Sequence, residues 1–529
     1  MDNYHNLIQN IRLSWKIGLS ILILIGALFS TQGLHIQSVS AAPAITIKVN
    51  TTTDSNTSDN SISLREAILL VNGGTGGDGL VTGLGRPLSL TESGQITGGV
   101  IGAVGVPANI VFTDLPGAPT ITLTGGTGTA NESLPPILQS GIVMDGLSGV
   151  GIPVMIDGSG AAVPPDSDIL WLGWATDSTN AIQVSDITIR NIFITGAKRY
   201  GIQLNPASLS HITNCTVTQS TSFAIFIQGK FGDANTNTIQ GCNVGGNASL
   251  GIVINRPGAN HNTVTKNQVG TDASGTSAWP NTGAGIALFT GTHDNLIDGN
   301  LISGNTLQGI YLSGTVTDPV NHNLITANRI GTTADGLVAL PNVQGIVFDN
   351  FVINTRVGDT IKGKGNIIAF NTESGIVVTG NNTIGNEFRR NSIFRNTFLG
   401  IDLLDDKLPT EGVSGGTIGP NKLALRPTLT RALVTGSVGL FTGTASPNST
   451  IELFVADPSP SGFGSGLTYC ATTIADSTGA FLFSGSMDCE PGPSKITATS
   501  TLVDGSTSEF GNNIETTKLP LTFLPLIAR

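Results

Sequence analysis

Asn262-Thr263-Val264-Thr265-Lys266-Asn267-Gln268-Val269 is one complete copy of an eight-residue pattern, Asn-x-apolar-x-x-Asn-x-apolar. The spacing returns at Asn295 to Ile302, Asn323 to Ile330 and Asn386 to Ile393, with partial copies starting at Ser210, Asn237 and Asn366. Most copies are followed by a Gly-Ile pair that opens a second apolar run, as at Gly251-Ile252, Gly285-Ile286, Gly309-Ile310 and Gly375-Ile376. Seven such intervals separate Gly201 from Gly400, so the repeat averages about 28 residues. The marker is regional: 27 of the chain's 42 asparagines fall between residues 201 and 400. A period in this range signals a solenoid.

Leucine-rich repeats have similar lengths but need a dense leucine pattern and a helical segment. Here the apolar residues come in short β-branched runs such as Ile225-Phe226-Ile227 and Ile252-Val253-Ile254, broken by Gly and Asn. Several short strands per turn and no helix are expected, which makes the architecture a parallel β-helix. Asparagine at the break has two expected uses. It tolerates the left-handed backbone region, and its amide can bond the same residue one coil away, ~4.8 Å distant. A β-sandwich with chance Asn-rich hairpins does not keep the five-residue Asn-to-Asn step through successive copies.

The repeats resemble those of the right-handed parallel β-helix proteins of bacterial surfaces. Val269 to Asn281 and Ile330 to Asn342 look like the loop insertion common in that group. Ser63-Leu64-Arg65-Glu66 is a capping box ahead of the apolar Ala67 to Val71. It is similar to the Ser-Leu-Arg-Glu-Ala-Ile segment that begins many such proteins, and implies an N-terminal plug. The resemblance spans roughly residues 44–425 and speaks to fold far more than activity, because right-handed β-helices include lyases, hydrolases, epimerases and phage tailspikes.

The expected class is therefore all-β: a right-handed parallel β-helix with a short N-terminal capping helix, followed by a small β-sandwich. Arg12 and Lys16 precede the apolar run Ile17 to Phe29, and the small residues Val39-Ser40-Ala41-Ala42 follow. That order describes a secretory signal over residues 1–41, too short for a spanning helix of ~20 residues. An uncleaved N-terminal anchor is the alternative. Residues 42–108 are expected to form the cap and a Gly-rich excursion, 109–402 the β-helix and 403–425 a linker, with the Asn pattern ending after Asp402. Residues 426–516 are expected to form the sandwich, with strands at Thr450 to Ala456, Ala480 to Phe483 and Ile496 to Leu502, and 517–529 a tail. Glu452 to Asp457, Asp476 to Phe481 and Thr507 to Phe510 resemble the sandwich module often found behind these β-helices.

Composition agrees with a stacked solenoid. Only 12% of the 529 residues are charged, Gly numbers 69 and the formal net charge is −11. No G-X-Y period marks a collagen, and no basic patch offers a nucleic acid or an anionic membrane a surface. Membrane contact is expected only through an uncleaved N-terminal segment. No cofactor-binding motif and no Cys/His cluster for a metal is present. Cys470 and Cys489 could bridge in an oxidising compartment. Cys215 and Cys242 replace the second Asn of two repeats, either as a disulfide between coils or as two buried thiols continuing the Asn column.

One constellation comes from the register alone. The position before the first Asn of each repeat holds His261, Asp294 and His322 in three consecutive coils, with His293 beside Asp294. Such a column has neighbours ~4.8 Å apart. An Asp between imidazoles favours their protonated forms and suits acid–base work or a metal. The competing explanation is a water-facing corner that takes polar residues, since Thr236, Gly365 and Gly385 stand there in other copies. Polygalacturonase-like motifs are missing: Gly-His-Gly is absent, Arg356 and Lys362 are wrongly spaced, and Asp405-Asp406 follows the last clear coil. Asp318-Pro319 with His322 matches the Asp-Pro-His of alginate epimerases only loosely. The expected function is an exported structural or adhesive module that binds glycans or cell-surface polymers. A polysaccharide lyase, hydrolase or epimerase working in a groove is the alternative.

Overall fold

The structure is a computed structural model. It describes residues 45–518 except 74–82, 99–106, 126–132, 148, 150, 161, 176, 410–411, 413–416, 458–461 and 491–493. The expected signal segment and most of the C-terminal tail lie outside the described residues. Three long sheets run side by side along a right-handed parallel β-helix. The first has 12 strands, from Ile45–Val49 to Glu387–Arg389, with Ile96–Thr97 paired antiparallel at its end. The second has 10, from Thr120–Thr122 to Ser392–Phe394, and the third has nine, from Leu170–Leu172 to Ile401–Leu403. The solenoid thus begins at Ile45, upstream of the expected start at 109, because Ile45–Val49 pairs in parallel with Ala108–Phe112.

Register explains the core. Each coil sends one central residue inward from the first sheet, giving the stack Ile189, Ile212, Ile239, Val264, Ile297, Ile325 and Val357. All seven are fully buried. The second sheet stacks Val217, Val244, Val269, Ile302, Ile330 and Ile368 in the same way. β-Branched side chains have few χ1 states to lose and pack well on a pleated surface. On the outside of the third sheet, Phe226, Val253 and Ala287 are buried beneath Tyr200, Phe223, Leu250 and Phe289.

Asparagines hold the corners, in three ladders rather than the two expected. The first passes through Asn237, Asn262, Asn295 and Asn323. The second takes Asn267, Asn300, Asn328, Asn366 and Asn391. The third joins Asn247, Asn281, Asn305, Asn342, Asn371 and Asn396. Each Oδ1 typically accepts both the backbone and the side-chain N–H of the Asn one coil back, at 2.8–3.2 Å. Asn366 therefore belongs to the second ladder and does not open a repeat. Its coil opens at Thr355, whose N–H donates to Asn386 Oδ1. The pattern also continues past Asp402: Asn421 closes the first ladder by accepting from the Asn386 N–H.

Of the two expected uses of asparagine, the bond from coil to coil holds, while the left-handed backbone is found at one of these ladder asparagines, Asn421, with φ of 44°. Elsewhere the left-handed residue is the one before the ladder position, as at Thr236, His261, Lys266, Asp294, His322, Ala327 and Arg390, whose φ values lie between 49° and 57°. The ladder asparagine is there to satisfy buried backbone groups. Cys215 and Cys242 continue the second ladder as free, buried thiols, and the Cys242 N–H donates to Asn267 Oδ1.

Both ends are closed. The helix Leu64–Asn72 starts on the Ser63–Glu66 capping box and buries Leu64, Ala67, Ile68 and Leu70. Arg65 and Glu66 are buried because they are structural. Arg65 forks onto Asp54 at 2.7 and 2.8 Å and donates to the Gly125 and Ser133 carbonyls, while Glu66 accepts from Ser63 N–H and Arg86. At the other end two four-stranded sheets face each other over a core that includes Leu429, Phe441, Ile451, Leu453, Phe481 and Ile496. Thr450–Ala456 is one strand, and Ala480–Ser486 and Lys495–Thr501 are others. Cys470 and Cys489 are disulfide-bonded. This sandwich plugs the solenoid: Phe454 and Phe510 enter the solenoid core, and Ser506, Thr507 and Glu509 accept from the free N–H groups of Gly385, Phe388 and Leu403. It thereby meets the edge problem that an open stack of strands poses.

Candidate functional site

The backbone chose the residues of the column. A non-glycine residue in the left-handed region is uncommon, and Asn, Asp and His are the types enriched there. His261, Asp294 and His322 have φ of 53°, 55° and 51°, and Asn354 follows at 49°. Asn354, not Gly365, holds the next position, because the coil opens at Thr355. The water-facing corner thus accounts for the residue types, and the geometry decides what they can do.

The structure brings Asp294 together with His293 and His261, while the ring of His322 is bonded to Asn321 instead. His293 Nδ1 donates to Asp294 Oδ2 at 2.8 Å, and His261 Nε2 lies 4.0 Å from the same oxygen. His322 Nδ1 is 2.7 Å from Asn321 Oδ1, which can only accept, so Nδ1 carries the proton and a neutral ring leaves Nε2 unprotonated. His261 makes the equivalent bond to Asn260 Oδ1.

Two of the three candidates then enter a cleft of about 780 Å³ between the last coils and the sandwich. Asp294, His322, Asn354 and Gly385 line it from four successive coils. Outward-facing Leu324, Arg356 and Glu387, which are register partners in the first sheet, form its floor. Asn448, Thr450 and the turn Leu502 to Gly505 are its far wall. His261 does not line the cleft.

The charges are interlocked. Arg356 Nε donates to Glu387 Oε2 at 2.7 Å, and Arg389 Nη1 reaches Glu387 Oε1 at 3.2 Å. Behind them Arg389 Nε donates to Glu452 Oε1 at 2.9 Å. Burial pushes the Glu452 carboxyl up, against Arg389 and the Arg390 N–H. Burial also opposes ionisation of Asp504, but Lys422 at 2.6 Å and the Ser506 N–H hold it below the usual carboxylate range. Such a lining offers hydroxyl, amide, guanidinium and carboxylate groups to one ligand, with His322 able to accept a proton. Among the described residues no group of three or more His, Cys, Asp or Glu side chains is arranged to hold a metal.

Arg356, Glu387, Arg389 and the sandwich wall were not expected from sequence. A signal existed for the first two: with Asn354 in the column, Arg356 and Glu387 fall at the outward strand position of consecutive coils. Asp405 and Asp406 lie apart, one accepting from Gln344 and the other capping the Leu408 N–H.

Residues 154–282 match the right-handed β-helix region family. With the three parallel sheets, this makes the fold a right-handed parallel β-helix. No curated protein matches the chain. Among solved structures, it is similar to the mannuronan C-5 epimerase AlgE4 A-module of Azotobacter vinelandii. That pair is 14% identical, with a TM-score of 0.34, over 56% of this chain and 73% of that one. The periplasmic alginate epimerase AlgG is 13% identical, with a TM-score of 0.34, over 57% of this chain and 66% of its own. The Dettilon tailspike protein is 14% identical, with a TM-score of 0.31, over 74% of each chain. Likenesses at this level carry no argument about activity.

Proposed function

We propose that this protein is an exported β-helix that acts as a structural or adhesive module and binds glycans in the cleft between solenoid and sandwich. The observation behind the reading is the cleft lining. Donors and acceptors from four coils and two sandwich turns face one open, polar space, and a polyol is a ligand that satisfies both kinds of group at once. Export rests on the charged-then-apolar segment from Arg12 to Phe29.

The test is a glycan array run beside a polysaccharide degradation screen, using the full-length chain and its Arg356→Ala and Asn354→Ala variants. Binding that falls at least ~10-fold in both variants, without product formation, is the expected result. Binding that ignores both substitutions removes the cleft from consideration.

One observation favours a second reading, a polysaccharide lyase, hydrolase or epimerase. Asp294, His322, Arg356 and Glu387 occupy adjacent coils, with His322 Nε2 unprotonated in the neutral ring. Product formation that disappears in His322→Ala, with binding retained, selects this reading.

A further inference from the structure

The cleft's charges bear on which glycan it takes. Three carboxylates line it, Asp294, Glu387 and Asp504, against two guanidiniums, Arg356 and Arg389. Neither guanidinium is unmatched. Glu387 bonds both of them, through Oε2 to Arg356 and through Oε1 to Arg389. Arg389 is further committed to Glu452, a side chain 0% exposed. In the far wall the Asp504 carboxylate is met by the Lys422 ammonium at 2.6 Å. Among the described residues Asp294 has no Lys or Arg partner within ion-pair distance, only His293 and His261. A carboxylate or sulfate brought into this space meets an acidic excess and, among the described lining residues, no cation that lacks a counter-charge. Recognition of an acidic sugar calls for the opposite, an unpaired guanidinium fork.

We infer that the cleft selects uncharged glycans and rejects polyuronates, with Glu387 and Asp294 as the specificity-determining residues; this rests on the cleft being a glycan site at all. Glu387 neutralises Arg356, which would otherwise attract an anion, while Glu452 holds Arg389. Asp294 supplies the residual negative charge. An uncharged polymer bonds the same groups with no like charge to oppose it, since hydroxyls donate to the carboxylates and accept from guanidinium N–H groups.

The experiment measures retention of the full-length chain on uncharged polysaccharides (xyloglucan, galactomannan) and on polyuronates (alginate, polygalacturonate) at low salt. Wild type is expected to bind an uncharged polymer and not the polyuronates. Glu387→Gln frees the Arg356 guanidinium, with Arg389 still held by Glu452, and is expected to raise polyuronate binding at least ~10-fold, an increase that shrinks as salt is added. Asp294→Asn is the second variant. It lies on an exposed corner whose left-handed backbone asparagine tolerates, so it keeps the test open if Glu387→Gln folds poorly. It is expected to shift selectivity in the same direction by a smaller factor. Wild-type binding to polyuronates as tight as to uncharged polymers overturns the inference, as does unchanged selectivity in folded variants. Binding to no glycan of either kind instead overturns the glycan-site reading beneath it.

Discussion

Asn300→Ala isolates one rung of the second ladder. Asn300 is 1% exposed, and its Oδ1 accepts the backbone and side-chain N–H of Asn267, both at 2.9 Å. Its Nδ2 donates to the Val264 carbonyl at 2.8 Å and to Asn328 Oδ1 at 2.9 Å. Alanine leaves the Asn267 N–H and one Asn267 amide hydrogen without partners in a dry corner, while the Val264 carbonyl keeps its sheet bond to the next coil. Each stranded group costs about 1–3 kcal/mol, so the sum is about 4 kcal/mol. Equilibrium urea unfolding at matched m-values reads this directly. Exposed Asn382→Ala is the control and should stay within about 0.5 kcal/mol. A loss below about 1 kcal/mol for Asn300→Ala, with the control unchanged, would refute the view that the ladder is there to satisfy buried backbone.

The N-terminal cap should weaken in acid. Burial opposes the charge on Glu92, yet Arg86 and the Ser89 and Asp59 N–H groups bring its carboxyl down to about 2. A depressed carboxyl contributes stability above its unfolded pKa and loses it as pH falls, so hydrogen-exchange protection of residues 45–72 should fall between about pH 4.5 and 2. Glu92→Gln should flatten that dependence. Phe510→Ala removes a ring that is 5% exposed and 5.6 Å from Phe454 in the plug; it should cost about 3 kcal/mol and produce end-to-end association by light scattering. Alkylation followed by mass analysis should label no cysteine in the native chain and two after denaturation without reductant, Cys215 and Cys242.

Much of the solenoid is legible because its information is local. The apolar stacks, the ladder step and the Ser63 box each repeat or close within a few residues. The third ladder was also in view, five residues after the second at Asn300 to Asn305, Asn366 to Asn371 and Asn391 to Asn396. Insertions hid it in two coils by moving the partner to Asn281 and Asn342. The register slipped where Thr355 stands in place of asparagine, and that slip concealed Arg356 as the neighbour of Glu387. The cleft itself has no local trace. It depends on contacts such as Arg389 with Glu452 and Gly385 with Ser506, and no periodicity in a chain encodes the docking of two separately built cores.

The ladders also bear on how such a chain can change its length. The asparagine rungs bond their neighbours through the same few atoms, so a coil of such rungs added or removed in full leaves matching donors opposite matching acceptors, and both end closures unaltered. Height along the axis is then a heritable quantity adjustable in steps of one coil, ~4.8 Å each. A lineage could lengthen or shorten the distance between the capping helix and the cleft without redesigning either.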